Sequence, residues 1–190
     1  MAKYHPTFEH GNFYHVYNRG NSYADIFVEE RNYDLFLSMT KKYLLQVADI
    51  YAYCLMKNHF HLLLKIKDTH EIEDEKLRLK PSLAFAYMFN AYAKTFNKTY
   101  NRRGSLFQEH LKKEIITNDD YLRRAVRYIH LNPVKHQFSD SIDDYPHSSY
   151  GAFLSDKRTL LKRDDVLQFF GGVDNFKLCH HLEEEDLIQT

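Results

Sequence analysis

The sequence predicts an α+β fold in which helices pack on an antiparallel β-sheet. Two patterns alternate along the chain: short segments with apolar residues at every second position, and longer segments with apolar residues three or four apart. Their order is β–α–β–β–α–β–α, which favours helices on one face of the sheet. The 190 residues, of which 44% are hydrophobic, suffice for one domain with its own core.

The first half of the chain is predicted to hold three strands and one helix. Residues 13–18 alternate and are rich in aromatic and β-branched side chains, which favours a strand. Residues 29–47 carry apolar side chains at helical spacing. Residues 50–56 and 59–66 are predicted to pair as a hairpin, because Lys57-Asn58 between them is a tight-turn sequence.

The second half of the chain begins with a charged segment over residues 68–80, which predicts a loop. A helix follows over residues 81–97, and residues 105–116 are predicted to be extended. The last core helix covers residues 121–131. Pro133 is expected to end it, because the residue before a proline is disfavoured in the helical conformation.

Beyond Lys135 the chain is polar, with short helices predicted over residues 148–154 and 163–170. We therefore expect a domain over residues 1–135 and a C-terminal extension over residues 136–190 that packs on or near it.

Composition narrows the classes of function. The two cysteines, Cys54 and Cys179, give neither a disulfide framework nor zinc-ligand spacing. No apolar run is long enough to cross a membrane, and no signal-peptide core is present near the N-terminus, so we expect a cytoplasmic protein without a membrane partner.

The charge distribution favours a nucleic-acid ligand. The formal net charge is zero, but residues 76–135 contain 13 Lys or Arg against 4 Asp or Glu. A segregated basic half suits a phosphate-rich ligand. The alternative is an ordinary solvated surface with ion pairs along its helices.

His59 and His61 are the most informative residues of the chain. Side chains alternate along a strand, so both imidazoles point to one face while Phe60 points to the other. Two imidazoles side by side on a rigid strand make half of a metal site. Taken alone, such a pair is more often two buried core histidines.

The predicted helix over residues 121–131 supplies a second group of polar side chains. Tyr121, Arg124, Tyr128 and Asn132 lie three or four residues apart and share one helix face. Tyrosine can attack phosphorus and form a phosphotyrosine that preserves bond energy for rejoining. Arg124 and Arg127 could stabilise charge at phosphorus. Each residue alone could instead serve packing, helix termination or solvation.

The chain resembles the single-tyrosine HUH transposases, and more closely the REP-associated tyrosine transposases. Five motifs carry the resemblance, in order, over roughly residues 12–150. They are Tyr14-His15-Val16-Tyr17-Asn18-Arg19-Gly20, Met56-Lys57-Asn58-His59-Phe60-His61-Leu62-Leu63, Arg103-Gly104-Ser105-Leu106-Phe107-Gln108, Arg127-Tyr128-Ile129-His130-Leu131-Asn132-Pro133-Val134 and Ser148-Ser149-Tyr150. His147 stands where relatives often carry tryptophan.

The resemblance implies a ferredoxin-like (RRM-like) HUH domain over residues 1–135 and a specific chemistry. Members nick single-stranded DNA at or near hairpins with a divalent metal, attach to the 5′ phosphate through tyrosine, and later rejoin strands. Carried over, Tyr128 is the nucleophile, with Tyr121 as the fallback, and His59, His61 and Asn132 are metal ligands. Two nitrogens and an oxygen suit Mg²⁺ or Mn²⁺, and the imidazoles favour Mn²⁺.

The expected partner is single-stranded or hairpin DNA, which proteins read by stacking and base-edge hydrogen bonds. Relatives work either as monomers or as dimers that exchange the tyrosine helix, so a homodimer is one of two expected assemblies. The alternatives are a domesticated hairpin-binding protein without turnover and a metal-dependent phosphodiesterase that uses water. The candidate DNA-binding residues are Asn18, Arg19, Tyr92, Tyr100, Arg102, Arg103, Arg124 and Arg127.

Overall fold

A computed structural model of the protein describes residues 7–182. Four strands form one sheet: β1 (Phe13–Arg19), β2 (Ala48–Met56), β3 (His59–Ile66) and β4 (Lys112–Ile116). The α-helices of this part of the chain are α1 (Glu30–Tyr43), α2 (Glu75–Leu79), α3 (Ser82–Thr99), α4 (Asp119–Lys135), α5 (Tyr150–Phe153), α6 (Arg163–Phe169) and α7 (Val173–His181).

The sheet is antiparallel, with the strand order β2-β3-β1-β4. The two central strands β1 and β3 pair in a register that sets Tyr17 opposite His61. Directly paired residues point to the same face, and so do residues two apart on one strand. His15, Tyr17, His59 and His61 therefore share one face of the sheet, which we call the histidine face.

Helices cover both faces of the sheet, so the expectation of helices on one face was wrong. The face opposite the histidines packs on α1 and α3, where the Phe60 ring contacts Phe36 and Phe89. Helix α4 lies on the histidine face, where the Tyr128 ring contacts His61. The sequence pattern predicted α4 at the right position in the chain but did not indicate which face it would cover.

Helix α4 does not end before Pro133 but runs through it to Lys135. Pro133 is buried, and the following turn is closed by a hydrogen bond of 2.9 Å from the His136 amide to the Asn132 carbonyl. The Asn132 side chain also donates to the Tyr128 carbonyl at 2.7 Å. Tertiary burial and these bonds outweigh the local preference against a residue preceding proline.

The structure also differs from the prediction in two shorter segments. Residues 68–80 contain a short 3₁₀ turn and helix α2, which Asp74 caps by accepting from the Leu77 amide at 2.9 Å. Of the predicted extended segment over 105–116, only β4 is a strand, and Phe107 forms a single bridge to Gly20.

The residues after 135 pack on β2 and α4. Ser149 pairs with the backbone of Tyr53, and the amide of Leu55 donates to the carbonyl of His147, so this segment runs beside the edge strand β2. The His147 ring stacks on Tyr33 with centroids 3.4 Å apart. Among the helices within residues 7–182, none is long and apolar enough to cross a bilayer.

Candidate active site

The histidine face brings four aromatic polar side chains into one cluster. The Tyr17 ring packs beside both imidazoles, with centroids 5.0 Å from His15 and 5.3 Å from His61, and the two imidazoles lie 5.0 Å from each other. His59, at the start of β3, meets His61 edge to face with centroids 5.4 Å apart. The alternation of β1 and β3 therefore produces a rigid surface of imidazole and phenol rings.

Hydrogen bonds orient both predicted metal ligands in the same way. The Nδ1 atom of His59 lies 2.6 Å from Oδ1 of Asn58. Because that oxygen can only accept, His59 carries its proton on Nδ1 and keeps the Nε2 lone pair free. The Nδ1 atom of His61 is likewise engaged, at 2.8 Å from Nε2 of His15.

The imidazoles of this face are neutral at neutral pH. Burial lowers the pKa of His59 to about 4, and the neighbouring His136 contributes to the same shift. Burial also lowers the pKa of His15 to about 4, although Glu114 opposes the shift. The pKa of His61 lies well below its usual value because of burial and the adjacent imidazoles. Neutral imidazoles offer the lone pairs that a cation requires.

Helix α4 delivers Tyr128 to the same place. Its ring lies 5.7 Å from His61 and 5.8 Å from His15, both edge to face, and 40% of the residue is exposed. Tyr128 lines a pocket of about 360 Å³ together with His59 and His61. The sequence-predicted nucleophile and both predicted histidine ligands thus meet in one cavity.

The carboxylate of Glu114 makes the hydroxyl groups of Tyr17 and Tyr121 chemically different from that of Tyr128. This carboxylate accepts a hydrogen bond of 3.0 Å from Tyr17 and one of 3.4 Å from Tyr121. Burial and this carboxylate raise the pKa of Tyr17 to about 12 and raise that of Tyr121. A nearby negative charge disfavours the phenolate, so Tyr17 and Tyr121 are poorer nucleophiles than their positions suggest.

Asn132, the predicted third ligand, is fully buried one turn beyond Tyr128. Its Nδ2 donates to the Tyr128 carbonyl, and its Oδ1 has no hydrogen-bond partner among the described residues. An unpaired buried acceptor costs free energy, which a metal ion or a donor would recover. Asn132 is not among the residues that line the pocket with His59 and His61, so its role as a third ligand stays a prediction.

The described residues offer no metal site built from histidine, cysteine, aspartate and glutamate side chains alone. Within residues 7–182 no group of three or more His, Cys, Asp or Glu side chains is arranged to hold a metal ion. Any cation held by His59 and His61 would need further ligands of another kind, such as the amide oxygen of Asn132, phosphate oxygens and water.

The sequence patterns did not predict several residues that lie in or beside the pocket. His136 follows the end of α4, and its ring lies 4.9 Å from that of His59. Lys112 lines the pocket, and the Lys135 ammonium lies 5.5 Å from the centre of the Tyr128 ring. His136 was hidden because Pro133 predicted an earlier end of the helix. His15 belongs to the first of the five motifs, but only strand pairing reveals its contact with His61.

Two of the predicted DNA-binding residues line the pocket, and a third lines a neighbouring cavity. Asn18 and Arg19 line it at the end of β1. The Arg19 guanidinium lies 4.3 Å above the ring of Tyr23, while its Nε is buried without a partner among the described residues. Arg124 lines a second cavity, of about 280 Å³, on the other side of Tyr128.

The turn after β1 is fixed by backbone contacts. The amide of Gly20 donates to the Asn58 carbonyl at 2.8 Å, which ties this turn to the turn before His59. A Cβ at Gly20 would overlap the carbonyl oxygen of Ala24, so only glycine fits.

Two predicted DNA-binding residues have structural roles instead, which corrects the prediction. Tyr92 is fully buried, and its hydroxyl donates to the Ile26 carbonyl at 2.6 Å, so its ring cannot stack on a base. Arg127 points away from the pocket toward α7, where it donates to the Cys179 carbonyl at 2.7 Å and to that of Leu182.

The remaining three candidates lie at the end of α3. The Tyr100 hydroxyl donates to the Glu29 carboxylate and lies 3.1 Å from Oδ1 of Asn32, which places it beside α1. Arg102 donates to the Ser105 carbonyl at 2.9 Å and thereby shapes its own turn, whereas Arg103 is exposed. This turn borders a groove of about 660 Å³ that shares Asn18 with the first pocket.

The fold and the site together define a class of protein. It is an α+β domain whose antiparallel sheet presents a histidine pair to a tyrosine on a covering helix. No family model matches the chain. A curated protein of Haemophilus influenzae (strain Rd), provisionally named a REP-associated tyrosine transposase, is 28% identical over 104 residues, which is 52% of this chain and 57% of that protein. The match therefore spans little more than half of the relative.

The fold comparison agrees with the sequence comparison. A solved structure of a REP-associated tyrosine transposase bound to a REP hairpin matches with a TM-score of 0.62 at 19% identity. The match covers 91% of this chain and 98% of that chain. The predicted α+β fold and the resemblance to REP-associated tyrosine transposases are both confirmed.

Proposed function

We propose that this protein is a DNA strand-transferase that nicks single-stranded DNA through a covalent 5′-phosphotyrosine at Tyr128. The observation that carries the proposal is the convergence of Tyr128, His59 and His61 in one pocket. Arg19 and Lys112 line the same pocket and offer positive charge to a phosphodiester. Hairpin DNA is the proposed substrate, because the solved structure with the same fold holds a REP hairpin.

In the proposed reaction the Tyr128 oxygen forms a bond to phosphorus while the bond from phosphorus to the 3′ oxygen breaks. The phenol loses its proton to solvent or a pocket base, and the departing 3′ oxygen takes up a proton and leaves as a hydroxyl. Rejoining reverses these steps with the 3′ hydroxyl of another strand. The energy of the broken bond is kept in the phosphotyrosine, so no nucleotide cofactor is required.

The proposed cofactor is Mg²⁺ or Mn²⁺, held by His59, His61 and Asn132. A divalent cation bound there would polarise the non-bridging phosphate oxygens. Asn58 and His15 hold the imidazoles in place, and the cationic side chains of Arg19 and Lys112 offset charge that develops on the phosphate.

We further propose that Tyr128 acts within its own subunit. The phenol lines the pocket formed by the histidines of the same chain, so catalysis needs no helix from a partner. An equal mixture of the H61A and Y128F variants is therefore expected to be as inactive as either variant alone. Nicking activity restored by mixing would instead indicate that Tyr128 is donated between subunits of a dimer.

Trapping of the covalent intermediate tests the central proposal. The protein is incubated with Mn²⁺ and a hairpin-bearing single strand labelled at its 3′ end, because the fragment downstream of the nick carries the 5′ phosphate. We expect a labelled protein band on denaturing gels for the wild type and for Y121F, and none for Y128F or with excess chelator.

The other outcomes assign the alternatives. An adduct that persists in Y128F and disappears in Y121F would transfer the nucleophile to Tyr121. Cleavage without any adduct would indicate a phosphodiesterase that uses water. Hairpin binding without cleavage, under conditions where the metal binds, would indicate a domesticated binding protein.

A further inference from the structure

His15 forms a direct side-chain hydrogen bond with His61, one of the proposed metal ligands. It lies on β1, diagonally across from His61 on β3, and its Nε2 is 2.8 Å from Nδ1 of His61. The two rings are nearly parallel, with an interplanar angle of 22°. Both residues are buried, at 7% and 5% exposure, so water has little access to replace this hydrogen bond.

The hydrogen bond has a direction that matters for metal binding. A neutral imidazole carries its proton on one nitrogen, and the other nitrogen holds the lone pair. Since Nδ1 of His61 is engaged inside the protein, Nε2 is the atom left for a ligand. It can bind a cation only if the proton sits on Nδ1, which requires His15 to accept it.

His59 shows the same arrangement with an unambiguous acceptor. Its Nδ1 lies 2.6 Å from Oδ1 of Asn58, an atom that has no proton to give. The partner that orients a metal-ligating histidine is commonly a carboxylate or a carbonyl group. For His61 that place is taken by a second histidine, His15, whose Nε2 lies 2.8 Å away.

We propose that His15 is a positioning residue that accepts the Nδ1 proton of His61 and thereby directs the Nε2 lone pair of His61 into the pocket. The inference deepens the proposed function, since it rests on a metal bound at His61. Without an acceptor at residue 15, the proton on Nδ1 would be buried without a partner, and the tautomer that binds metal would be disfavoured.

A matched pair of substitutions isolates the acceptor. In H15Q the side-chain amide oxygen reaches roughly the position of the imidazole Nε2, whereas in H15N it falls one methylene short. H15F keeps a flat ring but has no acceptor. We expect the Mn²⁺ affinity, measured by calorimetry, to fall about tenfold to 100-fold in H15F and H15N and to stay near the wild-type value in H15Q.

A second readout does not depend on metal. Nitrogen NMR of the metal-free protein distinguishes a protonated Nδ1 from a protonated Nε2 in His61. We expect the proton on Nδ1 in the wild type and in H15Q, and a shift toward Nε2 in H15N. If H15F fails to fold, the comparison of H15N with H15Q decides the matter.

The outcomes separate the inference from the proposed function. Wild-type affinity in H15N together with an unchanged His61 tautomer would overturn the role of His15 and leave the metal site intact. A wild-type protein that binds no Mn²⁺ would remove the metal from the proposed function, and the tautomer measurement would then decide the role of His15 by itself.

Discussion

Tyr128 is distinguished from its neighbours by what surrounds its hydroxyl. Tyr17 and Tyr121 both donate to the carboxylate of Glu114, and a carboxylate next to a phenol disfavours ionisation of the phenol. Tyr128 lines the same two cavities as Tyr17, but it has the Lys135 ammonium close to its ring. Of these three tyrosines, Tyr128 is therefore best placed to meet a phosphate.

Asn132 gives a prediction at the residue scale. In N132D a carboxylate replaces a buried amide whose oxygen already has no partner among the described residues. We expect the metal-free variant to lose about 1–3 kcal/mol of unfolding free energy at pH 8. Excess Mn²⁺ should raise its melting temperature more than that of the wild type, because a ligand that binds only the folded state stabilises it.

The control for N132D is the same substitution in an H59A background. There Mn²⁺ should no longer restore stability, since one imidazole ligand is removed. Equal stabilisation of N132D and the wild type by Mn²⁺ would argue that Asn132 is not a ligand, and the unpaired oxygen would then need another explanation.

The residues that the sequence could identify are those whose roles follow from local spacing. The alternation of a strand is enough to put His59 and His61 on one face, and β3 has the predicted bounds. His15 and His136 reach the site through strand pairing and through a helix that passes a proline, and neither is encoded locally. Tyr92 shows the converse, because exposure of an aromatic ring cannot be read from its position in a helix.

At the scale of elements, helix α4 both packs within the fold and carries residues of the candidate site. One of its faces carries Tyr121, Arg124 and Tyr128 toward the histidine face, and the opposite direction carries Arg127 toward α7. The extension of the helix through Pro133 is what brings His136 beside His59. Local rules predicted a helix ending before Pro133, and the buried contacts of the final turn override them.

Arg124 and Arg127 provide a matched comparison on this helix. Arg124 lies beside Tyr128, so R124A should reduce the slope of the logarithm of DNA affinity against the logarithm of salt concentration. The expected reduction is about 0.7–0.9 for each phosphate that Arg124 neutralises in the wild type. R124A should leave the melting temperature nearly unchanged.

R127A should keep the salt slope and lower the unfolding free energy by about 1.5–3 kcal/mol, because the Arg127 donors satisfy carbonyls at the end of α7. Salt titrations of DNA binding and urea denaturation, applied to both variants, measure the two quantities. A reduced salt slope in R127A would return Arg127 to the DNA-binding surface.

At the scale of the whole molecule, a buried chain of hydrogen bonds joins three separate parts. His180 on α7 donates from Nδ1 to the Phe176 carbonyl, so its Nε2 accepts from Nδ1 of His130 on α4 at 2.8 Å. Nε2 of His130 then lies 2.8 Å from the Ser149 hydroxyl, which also bonds the backbone of β2. Residues 130 and 149 belong to two of the five motifs, and their role is to fasten the segment after residue 135.

The division of the chain at residue 135 stays a prediction, and these contacts bear on it. His136 and Phe138 line the pocket. Ser149 and His180 are hydrogen-bonded to His130 on α4. The polar composition after Lys135 predicted an extension packed on or near the domain. It could not reveal that single buried histidines and serines take part in the attachment.

This buried chain makes stability depend on pH. Burial lowers the pKa of His180 to about 4 and lowers that of His130 well below its usual value. The unfolded chain therefore binds more protons than the folded protein between pH 6.5 and about 4. The stabilisation is complete above pH 6.5 and declines as the pH falls, at up to about 1.4 kcal/mol per pH unit for each histidine.

Urea denaturation of the wild type from pH 8 to pH 4 should show this decline. In H180Q the amide oxygen can still accept from His130 but does not titrate, so the decline should be shallower by one histidine's share, and an equal slope in both proteins would mean that His180 is already protonated in the folded state.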